Sequence, residues 1–204
     1  VGIYWLQSFA AKTFGVEEIS SYRIPSFLSA FITVIFLALI TRLIFSFEQS
    51  LLITLFFASS FIFISEAHLA KTDSTLLSLI CIQQFLLLKI ILAKTKSFKT
   101  EYLYPFFLWL SFAFGVLVKG PVSLAILFST IVSFCLFQKS FSLLKSIKPI
   151  LGILICSVVI IPWFLAIQDA TNGLFFQKAF NEDFFSKLQG GQEGHGAWPG
   201  THLL

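Results

Sequence analysis

Two acids, a base and an imidazole fall within eight residues of this chain, at Glu66, His68, Lys71 and Asp73. Charge-free apolar runs flank them, Leu51 to Ile64 and Leu76 to Leu88. Unpaired charges in hydrocarbon are costly, so the cluster belongs at a membrane surface or in a wet cavity. A solvated hairpin loop would meet that requirement with no chemistry at all. A site would use the same residues: Asp73 has the chemistry of a general base, or of a group that holds a substrate hydroxyl. Lys71, Lys119 and Lys187 are candidates to neutralise phosphate oxygens, each ammonium acting as a compact point charge. The run Gly190-Gly191-Gln192-Glu193-Gly194-His195-Gly196 adds a carboxylate, Glu193, and an imidazole, His195. Its glycines allow close approach to a ligand, and His195 could bind an anion, pass a proton or ligate a metal. Each of these has a plainer alternative. Lys187 could be a juxtamembrane base, His195 a loop histidine satisfied locally, and Lys119 a cap for nearby helix carbonyls.

The elements that must position these groups are membrane helices. Hydrophobic residues make up 57% of the chain and charged ones 12%, with 27 Phe among 204 residues and a mean hydropathy of +0.90. An ordinary soluble domain carries about 25% charged residues. This is therefore read as an all-α integral membrane protein, a polytopic helix bundle. The net charge of +4 is spread out, with no dense basic or aromatic-interleaved stripe, so no nucleic acid is expected as a partner. Cys81, Cys135 and Cys156 lie singly in apolar runs and read as small buried hydrophobes.

Residues 1–24 mix Tyr4, Trp5, Phe9 and Phe14 with Lys12, Glu17, Glu18 and Arg23, which fits a segment lying in the membrane interface. Pro25 is suited to the first turn of a helix. Six spans are expected, at about 26–43, 50–65, 74–93, 103–118, 122–137 and 149–168. Several are near the short limit for crossing a bilayer. Residues 169–199 form a long polar loop, and 200–204 read as the start of a further span. The chain opens at Val1 directly before an apolar segment and contains no Met, so an internal piece of a longer protein, or the product of a split reading frame, is expected.

Alternating the six spans places eight bases and two acids on one side, and six bases and eight acids on the other. The first side's loops, 94–99 and 139–148, carry only lysines as charged residues, which assigns that side to the cytoplasm. The opposite face then holds residues 1–24, Glu66–Asp73, Lys119-Gly120-Pro121 and 169–199. A transporter more often places polar groups near the midplane. Polar chemistry confined to one face suits an enzyme working at the membrane surface.

The ordered segments carry a resemblance. Tyr4-Trp5-Leu6, Phe14-Gly15-Val16-Glu17-Glu18 and Tyr22-Arg23-Ile24-Pro25-Ser26 come first, then Lys71-Thr72-Asp73, Val118-Lys119-Gly120-Pro121 and Ile161-Pro162-Trp163. With the run Lys187 to Gly196, this order resembles membrane glycosyltransferases of the dolichyl-phosphate-mannose–protein mannosyltransferase superfamily. The similarity is greatest to the bacterial branch that includes the aminoarabinose (lipid A) transferases, and it covers nearly the whole chain. It implies a GT-C fold, a sugar donor on a polyprenyl phosphate, and a lipid, glycan or protein acceptor. It also implies action at the outer face of a bacterial inner membrane, among membrane lipids. By the match, Asp73 corresponds to an active-site acid and Lys187 to a basic residue near the lipid phosphate.

The chain departs from the family pattern in two ways. The family's principal catalytic acid and a phosphate-contacting Lys lie in a first outer loop that would precede Val1, so this stretch alone is not expected to turn over. Trp198-Pro199 stands where the family has Pro-Pro. No nucleotide loop or metal-ligand set is visible, so no cofactor is expected and a divalent metal stays open. The expected function is inverting sugar transfer from a polyprenyl phosphate. The alternative is a transporter or membrane scaffold subunit without catalysis.

Overall fold

In hydrocarbon every backbone N–H and C=O must pair within its own segment, so apolar runs of this length fold as helices. The computed structural model describes residues 2–93, 95, 97–172 and 174, and its regular elements are all helical. In order they are α1 (Gly2–Phe14), α2 (Ile19–Ile44), α3 (Phe47–Ala58), α4 (Phe61–His68) and α5 (Thr72–Ile91). A π-helical turn (Lys99–Leu103) leads into α6 (Tyr104–Lys119), followed by α7 (Pro121–Gln138), α8 (Ser142–Ser146) and α9 (Pro149–Thr171). Among the described residues, five segments are long and apolar enough to cross a membrane, and the bent pair α3–α4 is a sixth if its halves form one span. The protein is a multi-pass membrane protein.

Two units divide the chain, residues 1–160 and 161–204. In the second, the described residues are the last turns of α9 with Asn172 and Leu174.

Helix α2 begins at Ile19, ahead of the start expected near residue 26, and Pro25 lies inside it rather than in its first turn. A proline there cannot donate to the carbonyl four residues back, that of Ser21. Such a loss is tolerated in a membrane helix whose neighbours supply polar groups. The face that α2 buries is small and hydroxylated: Ser21, Ser26, Ser29, Ala30, Thr33 and Thr41. Phe27, Leu28, Phe31 and Ile35 point away from the protein. Lipid tails satisfy large apolar side chains as well as a neighbouring helix does, so close helix approach is left to small residues and interhelical hydrogen bonds.

The apolar run expected as one span at 50–65 is broken at Ser59-Ser60, where α3 and α4 meet at 60°. Helix α3 starts on a capping box, Ser46 accepting from the Gln49 N–H while the Gln49 side chain accepts from the Ser46 N–H. Its twelve residues reach only about 18 Å. At the break, the Ser59 hydroxyl donates to the Phe56 carbonyl, a local bond that competes with the helix ladder. Phe57 and Phe63 pack across the bend with ring centroids 4.7 Å apart.

Helices α5, α6 and α7, with the start of α9, enclose the apolar core around Leu86, Leu87, Leu108, Phe112, Leu127 and Ile131. Trp109 in this core donates from Nε1 to the Ile147 carbonyl at 2.7 Å, tying α6 to the turn before α9. A Cβ on Gly152 would collide with the Trp109 ring, so glycine is what lets α9 close on α6 here.

Candidate functional site

Helices α5 and α6 are antiparallel neighbours, so the first turn of one lies beside the last turn of the other. Asp73 is the second residue of α5 and Lys119 the last of α6. Each charge suits its helix end, the acid at a positive N-terminus and the base at a negative C-terminus. They meet across the gap: Lys119 Nζ pairs with Asp73 Oδ1. Both side chains remain about two-fifths exposed, at 43% for Asp73 and 41% for Lys119. Chain reversal after Lys119 depends on Gly120, at φ +57, a backbone that favours glycine, and on Pro121, whose ring suits the first position of α7.

A second ion pair stands next to the first. Glu66, in the last turn of α4, lies with Oε1 3.5 Å from Lys71 Nζ. Its Oε2 is buried and has no hydrogen-bond partner among the described residues. His68 is satisfied locally, Nδ1 donating to the Ile64 carbonyl at 2.7 Å. Thus one end of the unit gathers two carboxylates and two ammonium groups. Between α3, α4 and α5 a cavity of about 180 Å³ runs up to them. Phe57, Phe63 and Leu77 wall it, with Glu66, Asp73 and Ser74 on its polar side.

The turn that carries these groups is held from two other helices. Gln7 of α1 donates to the Ala70 carbonyl at 3.2 Å, and Ser26 of α2 donates to the Lys71 carbonyl at 3.2 Å. Ser74 donates to the Ser26 carbonyl at 2.7 Å, and the Ser29 and Thr75 hydroxyls lie 3.2 Å apart. Helix α1 reaches the end of α6 as well: Ile3 is buried, and a Cβ on Gly2 would lie 3.2 Å from Val118. Residues 1–24, Glu66–Asp73 and Lys119–Pro121, which the alternation of spans places on one face, therefore pack into one assembly.

Of the sequence-derived candidates, Asp73, Lys119 and Lys71 come together here. Lys187, Glu193 and His195 lie outside the described residues, as does most of the polar loop 169–199. The Asp73–Lys119 pairing was not anticipated from sequence, although an acid opening one span and a base closing the next, antiparallel one was the available signal. Glu66 was noticed only as part of a charged cluster. The anchors Gln7 and Ser26 gave no signal, being single polar residues in mixed or hydroxyl-rich stretches. Among the described residues, no three His, Cys, Asp or Glu side chains converge as metal ligands.

Comparison with known proteins bears on the family and the fold. A family model described as dolichyl-phosphate-mannose-protein mannosyltransferase matches residues 1–165. No curated protein matches the sequence. Two solved structures are similar, both of ArnT from Cupriavidus metallidurans. The apo structure superposes with a TM-score of 0.78 at 19% identity, over 88% of this chain and 33% of that one. The structure bound to undecaprenyl phosphate also gives a TM-score of 0.78 at 19% identity, over 87% of this chain and 32% of the other. The chain thus spans about a third of the length of the ArnT chains it matches, and at this identity the likeness speaks to fold: the helices have the ArnT, GT-C arrangement. With the family pattern running through α1 to α9 and that fold behind it, the chain belongs to the dolichyl-phosphate-mannose-protein mannosyltransferase family.

Proposed function

We propose that this chain contributes to a glycosyltransferase that moves a sugar from a polyprenyl phosphate to a lipid, glycan or protein acceptor, at the outer face of a bacterial inner membrane. The observation that carries the reading is the juxtaposition of Asp73–Lys119 and Glu66–Lys71 at the head of an apolar slot. An acceptor hydroxyl or amine attacks the anomeric carbon and loses its proton to a carboxylate. The bond from that carbon to the phosphate oxygen breaks, and the polyprenyl phosphate leaves with the electron pair. Charge therefore develops on the phosphate in the transition state, where fixed ammonium groups stabilise it most. In this scheme Asp73 is an active-site acid steadied by Lys119. Lys71 and Lys187 are assigned to neutralising the phosphate, and Glu193 and His195 to binding substrate. Helix α1 lies in the membrane interface.

A transporter would share one feature, the bent pair α3–α4, since broken helices often line transport sites. The break here is set among serines and phenylalanines, and the charges sit beyond it at the helix ends. The test is a chimaera in which this chain replaces the matching third of a full-length ArnT-type transferase, supplied with labelled polyprenyl-phosphate sugar. The expected result is acceptor labelling that depends on Asp73. Substrate flux across vesicles without any sugar transfer would replace the enzyme reading with the transporter one.

A further inference from the structure

At the far end of α5 from Asp73, about 26 Å along the helix at 1.5 Å per residue, two adjoining cavities open. They measure about 370 and 440 Å³ and share Ile90, Ala93 and Ser146. The first is half polar, with Thr95, Thr100, Glu101, Lys145, Ser146 and Lys148 beside Ile90 and Ala93. Lys148 is held in place, its Nζ 3.8 Å from Glu101 Oε1 and 3.4 Å from the centre of the Tyr102 ring. Its backbone lies at φ 50, in the left-handed region that a side-chain-bearing residue enters only where its surroundings enforce it. Lys145 has no ion-pair partner among the described residues. Among the described residues, one ammonium group therefore borders this cavity without an ion-pair partner, while the only acid there, Glu101, is engaged by Lys148.

The setting points to a ligand that is part of the membrane. Phe98, Tyr102 and Phe141 near the opening are 73%, 50% and 71% exposed, and Ile150 and Ile153 of α9 are 79% and 69% exposed. Aromatic residues at the polar end of a span mark the head-group level, and the aliphatic face beyond them offers a surface for acyl chains. A basic recess between spans at that level suits an anionic lipid head group. We propose that this cavity binds the phosphate head group of an anionic phospholipid, with Lys145 and Lys148 supplying both the charge and the N–H donors. The site is separate from the Asp73 end and does not depend on sugar transfer.

The experiment uses the chain in nanodiscs of mixed phosphatidylglycerol and phosphatidylcholine, with retained lipid counted by native mass spectrometry. Phosphatidylglycerol should be retained in preference, and less so as salt is raised. A lysine near the membrane surface is worth about fivefold in affinity for anionic lipid. Lys145→Gln should then reduce retention about fivefold, and adding Lys148→Gln should bring the loss to about twenty-five-fold when the two act independently. Lys145→Arg should keep most of the binding, and Lys12→Gln at the opposite end should change nothing. Lys145→Gln disturbs no ion pair among the described residues, which guards against a folding defect. Undiminished phosphatidylglycerol retention in the double variant, or equal retention of the two lipids by the parent, overturns the proposal. Efficient displacement of the lipid by glycerol 3-phosphate would assign the cavity to a soluble phosphate and overturn the lipid assignment.

Discussion

The Asp73–Lys119 pair separates a catalytic role from a structural one, because the two roles predict effects of different size. Both side chains are about two-fifths exposed, so water screens their attraction, and such pairs couple by about 0.2–1 kcal/mol. Each charge also sits at a favourable helix end, a further 0.3–1 kcal/mol or so apiece. Asp73→Asn or Lys119→Gln should therefore cost about 0.5–2 kcal/mol of stability, with a double-mutant coupling below about 1 kcal/mol. A fold stabilised by about 5–15 kcal/mol stays populated after such a loss. Loss of an acid–base group in transfer should instead cost about 10²-fold or more in turnover, or about 2.7 kcal/mol at 1.36 kcal/mol per decade. The charge-exchanged variant, Asp73→Lys with Lys119→Asp, restores attraction while moving the carboxylate to the end of α6. The assays are denaturant unfolding in detergent and sugar transfer by the chimaera described above. Transfer should stay lost in the exchanged variant even where coupling returns. Transfer within about tenfold of the parent in that variant, or near-normal transfer by Asp73→Asn, would refute the reasoning and leave a solvated hairpin.

Three further outcomes are expected. In a background without Cys81, Cys135 and Cys156, Ser97→Cys and Ser146→Cys should label from the cytoplasmic side and Leu69→Cys from the other; outward labelling at Ser97 or Ser146 overturns the orientation. Lys187→Ala should weaken polyprenyl-phosphate binding by about 1–3 kcal/mol, the range for a charge-assisted hydrogen bond, while Lys187→Arg keeps much of it and Lys178→Ala changes little; equal affinity for Lys187→Ala and the parent removes Lys187 from the site. Gly152→Ala should lower stability by about 1–3 kcal/mol, because its Cβ meets the Trp109 ring, and an unchanged melting temperature would show that α9 and Trp109 separate at no cost.

The membrane class, the helical fold and the family were legible in the sequence, each for a physical reason. Composition decides the solvent, and the solvent then permits only backbones that pair internally. Alternating spans put Asp73 and Lys119 at the same end, since a chain that crosses and returns must bring the start of α5 near the end of α6. Which helix faces would meet was not legible. In α2 the large apolar side chains face outward and Ser26, Ser29 and Thr33 face the protein, the reverse of a soluble helix, because lipid and protein satisfy a leucine almost equally. The break at Ser59-Ser60 was hidden for a related reason, apolar residues continuing on both sides of it. The support under Asp73 came only with the tertiary structure. Gln7 reaches Ala70 across 63 residues of sequence and Ser74 reaches Ser26 across 48. Those bonds join one polar atom to one carbonyl, and no periodicity records such a pairing until the helices have packed.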